Sequence, residues 1–260
     1  MMFKVEQANK AELISYCEEI GIPTSGKSKE DLRSAINKYL DAEILAAVES
    51  ETAEGLLTDK IEVLVEDYRS NLQSKIKHRK QEMKSDDHSH YLIYRVLGIS
   101  EDDGEKIDVY QNTGRFLYKY AGALLEEVTT LCLKFKSIKG GKVLVKNTRG
   151  EKPRNFEIDF LDGNYAFEIK WRDATTDGDH ITKEHTRIQV IHEQGYTPVR
   201  IMFYYPQRIQ AQNIQATLKT LYKGIGGEYY AGDDAWEFIR QYTGYNLKSI
   251  LTKIADKQMP

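Results

Sequence analysis

The sequence predicts an α/β protein in two parts, a helical N-terminal module followed by a region where short strands alternate with helices. Three observations predict it. Residues 9–84 carry apolar side chains at helical spacing. Residues 143–171 contain three extended runs, two of them with a period of two across a Gly-Asn turn. A helical stretch of about fifteen residues ending at Gly195 then leads into a buried apolar run, Val199 to Tyr205.

The chain has 260 residues, 40% of them apolar, with 17 tyrosines, enough for a large core and too apolar for a disordered chain. It holds no uninterrupted apolar run long enough for a transmembrane helix, and Met1 to Lys10 is too polar for a secretory signal. Its two cysteines, Cys17 and Cys132, sit in helical patterns without metal-ligand spacing, so reduced buried thiols and a cytoplasmic location are expected. The formal net charge of −3 does not by itself point to a polyanion as partner. The distribution says more: eight basic residues against one acid lie between Lys134 and Arg154, and a second basic cluster runs from Lys75 to Lys84. Such patches can neutralise phosphates, although a charge run alone also fits a solvated face.

In residues 9–40, Leu13, Tyr16, Cys17 and Ile20 form one apolar stripe, stopped by Gly21 and Pro23. Ser28 with Asp31 can cap a second helix whose inner face is Leu32, Ala35, Ile36, Tyr39 and Leu40. The loop between them holds Lys27 and Lys29. Residues 41–84 continue as helix, and Ser85 to His90 reads as a polar linker whose histidines are expected to be solvated. A helix is expected from Gly114 to about Lys136, and residues 207–256 are expected to be mostly helical. The predicted organisation is therefore a module at 1–40, a helical arm and linker at 41–90, and a main domain at 91–260.

The chemistry concentrates in Phe156 to Arg172. Phe156, Ile158 and Phe160 alternate with Glu157 and Asp159, and Tyr165, Phe167, Ile169 and Trp171 alternate with Glu168 and Lys170. A two-residue turn at Gly163-Asn164 pairs Phe160 with Phe167, Ile158 with Ile169 and Asp159 with Glu168. The acids then share one face and the hydrophobes the other. Two carboxylates across a ladder repel, a cost that a divalent cation turns into binding. Lys170 on the same side could orient or deprotonate a water. A solvent-facing hairpin with alternating charges fits the same spacing.

Asp159 followed by Glu168-Ile169-Lys170, with helix, strand, strand hairpin, helix and strand in that order, resembles the PD-(D/E)xK nuclease superfamily. Ile158 stands where the superfamily usually has proline. The resemblance implies a restriction-endonuclease-like core, a mixed β-sheet flanked by helices. It implies catalysis by Asp159, Glu168 and Lys170, with one or two Mg²⁺ held by Asp159, Glu168 and the carbonyl of Ile169. The superfamily often adds an acid from the first core helix. On a helical wheel Glu127 lies at the edge of the apolar stripe and Glu126 points away, which favours Glu127.

His180, Lys183 and Arg187, with Gln189, fall on the helix expected to follow, where related nucleases contact phosphate. Arg172, Asp173, Thr175, Thr176 and Asp177 precede it in a loop able to read base edges. Tyr94 to Gly98, Gly114 to Gly122, Lys170 to His180 and Pro198 to Pro206 are similar to the ApaLI-like type II restriction endonucleases. That similarity implies Mg²⁺-dependent cleavage of a short palindromic double-stranded DNA site by a homodimer, leaving 5′-phosphates. The sequence does not fix the dimer interface; the helices expected in 232–256 are candidate contributors. Residues 9–40 resemble the SAP or helix–extension–helix DNA-binding modules, which implies DNA contacts at Lys27 and Lys29. A repair or junction nuclease, or a non-catalytic DNA-binding protein, are the competing expectations.

Overall fold

The structure, a computed structural model, describes residues 3–49, 52–172 and 178–258, without the side chains of 178–180. The N-terminal stripes fold as α1 (Lys10–Glu19) and α2 (Lys29–Glu49). Asn9 and Glu12 form a reciprocal capping box on α1. At α2 the Ser28 hydroxyl accepts from the Asp31 N–H at 3.1 Å and the Asp31 carboxylate accepts from the Ser28 N–H at 2.9 Å. Leu13, Cys17, Leu32 and Ile36 close on Val5 and Ala8 as a small core of their own. Helix α2 then runs on past residue 40, and its Ile44 belongs to the main core. The module expected at 1–40 thus shares its second helix with the rest of the chain.

Helices α3 (Ala53–Lys84) and α5 (Glu101–Lys136) pack side by side, with the short α4 (Tyr91–Val96) between them in sequence. Helix α5 starts well before the expected Gly114. The Ser100 side chain caps it by accepting from the Asp103 N–H, and three acids fill the first turn, a start signal that outweighs the glycines at 104 and 114.

A five-stranded mixed sheet follows, in the order β1 (Gly141–Lys146), β2 (Asn155–Asp162), β3 (Tyr165–Lys170), β4 (Thr197–Met202) and β5 (Glu228–Ala231). The first three strands are antiparallel, and β3, β4 and β5 are parallel. Strand β5, four residues after a glycine-rich turn, falls in the region expected to be mostly helical; it is too short to show a period. Helices α5, α8 (Asp233–Thr243) and α9 (Leu247–Gln258) cover one face over Phe160, Phe167, Ile169, Val199 and Ile201. Helices α6 (Gly178–Glu193) and α7 (Ile209–Gly224) cover the other. This is the restriction-endonuclease-like architecture, a mixed sheet between helices with a helical N-terminal part.

The β2–β3 hairpin has the expected two-residue turn, with Phe160 opposite Phe167, Leu161 opposite Ala166 and Asp162 opposite Tyr165. Gly163 turns it at φ 55°, a conformation that favours glycine. One expectation fails. The pairing of β2 with β1 slips between Gly141↔Leu161 and Val143↔Ile158, a β-bulge. Phe156 and Ile158 consequently pack toward α6, while Phe160 crosses to the α5 face and Ile158 no longer shares a face with Ile169. Gly140 admits the displaced ring: a Cβ there would lie 2.4 Å from Phe160 and 2.9 Å from the Leu161 carbonyl.

Candidate active site

Beyond Phe160 and Phe167 strands β2 and β3 part, and Asp159 occupies the gap. Its carboxylate accepts the Ile169 N–H at 2.7 Å, doing what a ladder carbonyl would do in a continued sheet. Asp159 therefore is not directly across a ladder from Glu168, as the simple hairpin predicts. The two acids meet at Lys170, whose ammonium lies 2.5 Å from Glu168 and 4.0 Å from Asp159. The expected trio converges, by strand separation instead of a common sheet face.

Each acid is held differently. Burial, then Glu168, pushes the Asp159 carboxyl up to about 7, opposed by Lys170, while Glu126 pushes the same way as Glu168. Burial works against ionisation of Glu168 too, but Arg187, Lys170 and Arg200 outweigh it and keep this carboxyl well below the usual range. Lys170 is desolvated, yet Glu168 and Asp159 more than compensate, so its pKa is raised. Beside these two acids it is an ammonium, able to donate a hydrogen bond to a water.

Of the two helix acids, Glu126 and not the expected Glu127 stands beside Asp159. One carboxylate oxygen each from Glu126, Glu157 and Asp159 lies within 4.8 Å of the others, the spacing of a cation site. Glu127 instead accepts from the Lys4 ammonium at 2.9 Å and the Tyr68 hydroxyl at 2.6 Å. The apolar stripe of α5 proves to be two stripes. Tyr120 meets Tyr68 of α3, whereas Leu125, Val128, Thr129, Cys132 and Leu133 are the deeply buried set. At 100° per residue the centre of that buried set lies about 90° from the averaged stripe, which puts Glu126 at its edge and Glu127 on the far side of the helix.

These residues fit a hard divalent ion, which takes carboxylate oxygens. The Lys142 ammonium, 2.9 Å from Glu157 and 3.4 Å from Glu126, already supplies a positive charge at that point. Of Ile169, the amide is what the structure ties to the site.

Arg187, expected to meet DNA, is buried. Its guanidinium pairs with Glu168, donates to the Glu157 carbonyl at 2.6 Å and lies 3.6 Å from Glu184. Glu184 in turn accepts from Arg200 at 3.1 Å and from the Tyr222 hydroxyl at 2.5 Å. This chain of buried charges ties α6, β4 and α7 behind the site. Composition and periodicity do not reveal it, though a charged Arg200 inside the apolar Pro198 to Tyr205 run is a signal, since buried arginine is rare without partners.

Lys183 and Lys29 are exposed and Lys27 half-buried, so each is open to a ligand. Arg172 stacks over the rings of Tyr118 at 5.3 Å and Trp171 at 5.6 Å, two residues beyond Lys170. Asp173, Thr175, Thr176 and Asp177, with the side chain of His180, lie outside the described residues. Gln189 is occupied by Arg149 and His185. Among the histidines expected to be solvated, His90 is bound to Asp108. Cys17 and Cys132 are free and buried. No helix among the described residues is long and apolar enough to cross a membrane.

No curated protein and no solved structure matches the chain. The family model of the ApaLI-like restriction endonucleases matches residues 31–256, from within α2 into α9, and so includes the whole sheet and every acid of the site. The separated strands with their Asp, Glu and Lys, the mixed sheet behind them and this match agree: the chain belongs to the ApaLI-like restriction endonuclease family.

Proposed function

We propose that the protein is a Mg²⁺-dependent type II restriction endonuclease that hydrolyses both strands of a short palindromic DNA site as a homodimer, leaving 5′-phosphates. The observation that carries this reading is the Lys170 ammonium beside Glu168 and Asp159 where β2 and β3 separate. Asp159 and Glu168 with the Ile169 carbonyl would hold the ion, and Glu126 from α5 and Glu157 stand together with Asp159 where either could join it. When bound, Mg²⁺ supplies positive charge against the scissile phosphate and lowers the pKa of water.

The protein groups do the rest. Lys170 donates to the attacking water and holds it in line with the P–O3′ bond. Water oxygen bonds to phosphorus and gives its proton to solvent, the P–O3′ bond breaks, the 3′-oxygen leaves as a hydroxyl after protonation from solvent, and the phosphate stays on the 5′ side. Arg187 keeps Glu168 ionised from behind, and Arg172 and Lys183 would meet the phosphate backbone or a base edge. A homodimer matches the two-fold symmetry of a palindrome.

The test is plasmid DNA incubated with and without Mg²⁺. Discrete fragments with ligatable 5′-phosphate ends are expected only with the ion. Asp159→Ala and Lys170→Ala are expected to abolish cutting while leaving specific binding in place. A smear would point to a nonspecific nuclease, and intact plasmid at every Mg²⁺ concentration would overturn the reading.

A further inference from the structure

Helix α4 is built inside out. Its polar groups face inward, with His90 Nε2, just before the helix, and the Tyr94 hydroxyl each 2.8 Å from the buried Asp108 carboxylate of α5. The Tyr94 ring lies so close to α5 that a Cβ on Gly104 would sit 2.6 Å from it. These contacts fix the orientation of α4 and turn its large apolar side chains outward. Leu92 and Ile93 are each 58% exposed, Val96 74% and the following Leu97 71%; no residue of α4 is buried. Ile107 and Tyr110 of α5 extend the same exposed apolar surface. Six large apolar side chains within twenty residues are a denser exposed group than scattered surface hydrophobes, and such patches mark interaction sites.

The charges beside the patch say what covers it. Toward the start of α5, Glu101, Asp102, Asp103 and Glu105 are four exposed acids, against Arg95, which pairs with Glu101, and Lys106, which pairs with Asp102 and Asp103. On α3, Lys75 to Lys84 holds five basic residues against one acid, and Arg79 lies over the Phe116 ring, six residues beyond Tyr110. The order along this part of the molecule is acid, apolar, basic. A second copy turned by a two-fold axis would set apolar on apolar and place each acidic end on the other copy's basic end. Helices α8 and α9, the candidate contributors to the dimer contact, direct Trp236, Ile239, Leu247, Ile250 and Ile254 into the core, and none of their large apolar side chains is exposed.

The geometry points to the α4 surface, with the start of α5 and the basic end of α3, as the homodimer interface, occupied by the same surface of a second copy. This rests on the homodimer reading above. A stable interface needs roughly 800 Å² per partner, so the apolar group would be its centre and the charged flanks its rim.

Sedimentation of the full chain at micromolar concentration tests it. The wild type is expected to be a dimer and Val96→Asp/Leu97→Asp a monomer, with circular dichroism unchanged because both side chains are exposed. Lys77→Glu/Lys80→Glu is expected to weaken the dimer by roughly tenfold or more. Adding Asp102→Lys/Glu105→Lys to that chain should restore much of the loss, a rescue that a merely destabilised fold would not show. A wild type that is monomeric with and without DNA would sink the homodimer reading itself. A dimeric wild type whose Val96→Asp/Leu97→Asp variant also stays dimeric would overturn this interface alone. So would a dimeric variant that loses DNA, since the patch would then be a nucleic-acid contact.

Discussion

Asp159 is only 5% exposed, next to two other acids, and its placement costs stability that a cation would return. In the unfolded chain its carboxyl titrates at the ordinary 3.8, in the folded protein at about 7. Below pH 4 both states hold the proton and the group is neutral in effect. As pH rises to 7 the unfolded state loses its proton first, so folding is progressively disfavoured and stability is lost through that window. Asp159→Asn is therefore expected to stabilise the metal-free protein by about 2–4 kcal/mol above pH 7, with the gain fading toward pH 4. Thermal melts across pH in chelator check this; equal melting temperatures at pH 8 would refute the burial argument. Mg²⁺ should raise the melting temperature of the wild type and not of the variant. Arg187 gives the opposite case. Arg187→Met leaves Glu168 and Glu184 buried with less countercharge, so a loss of about 3–5 kcal/mol is expected in denaturant titration, partly recovered by Arg187→Lys.

At the scale of elements, the β2–β3 hairpin is legible in the sequence because alternation and a Gly-Asn turn are local signals, and its register follows from turn length alone. The bulge in β2 is not legible. A one-residue slip depends on where β1 lies and on what Phe160 meets, and nothing in the period of Phe156 to Phe160 records either. The same reason hides Glu126: a wheel averaged over all of α5 merges the face toward α3 with the face toward the sheet. The start of α5 is obscured by its glycines, although a serine cap and three acids mark it. Gly140 tests the bulge directly. Gly140→Ala pushes on a fully buried Phe160 ring and on the Leu161 carbonyl, neither free to move, so a loss of about 1–3 kcal/mol is expected in chemical unfolding. Cleavage should fall as well, because Asp159 adjoins the bulge; an unchanged protein on both counts would show that the bulge relaxes freely.

Across the whole molecule the question is how a chain of net charge −3 holds a polyanion. Three of the eight basic residues from Lys134 to Arg154 are already neutralised within the fold: Lys134 pairs with Asp41, Lys142 with Glu126 and Glu157, and Arg149 with Glu193. Charge counted along the sequence therefore overstates what that run offers to phosphate. The loop before α2 is different, because Lys29 is exposed, Lys27 is half-exposed, and the small core beneath them is separate from the main one. If this module binds DNA through these two lysines, Lys27→Glu/Lys29→Glu should weaken binding to all duplexes alike and leave the cleavage rate at saturating DNA unchanged. The slope of log affinity against log salt should fall by roughly two, one for each phosphate that is no longer neutralised. An unchanged slope would remove the module from the DNA interface and leave recognition to the surface around Arg172 and Lys183. A cleavage rate that fell at saturation would mean instead that the module acts on the active site, for which the pairing of Lys4 with Glu127, beside Glu126 in α5, offers a route.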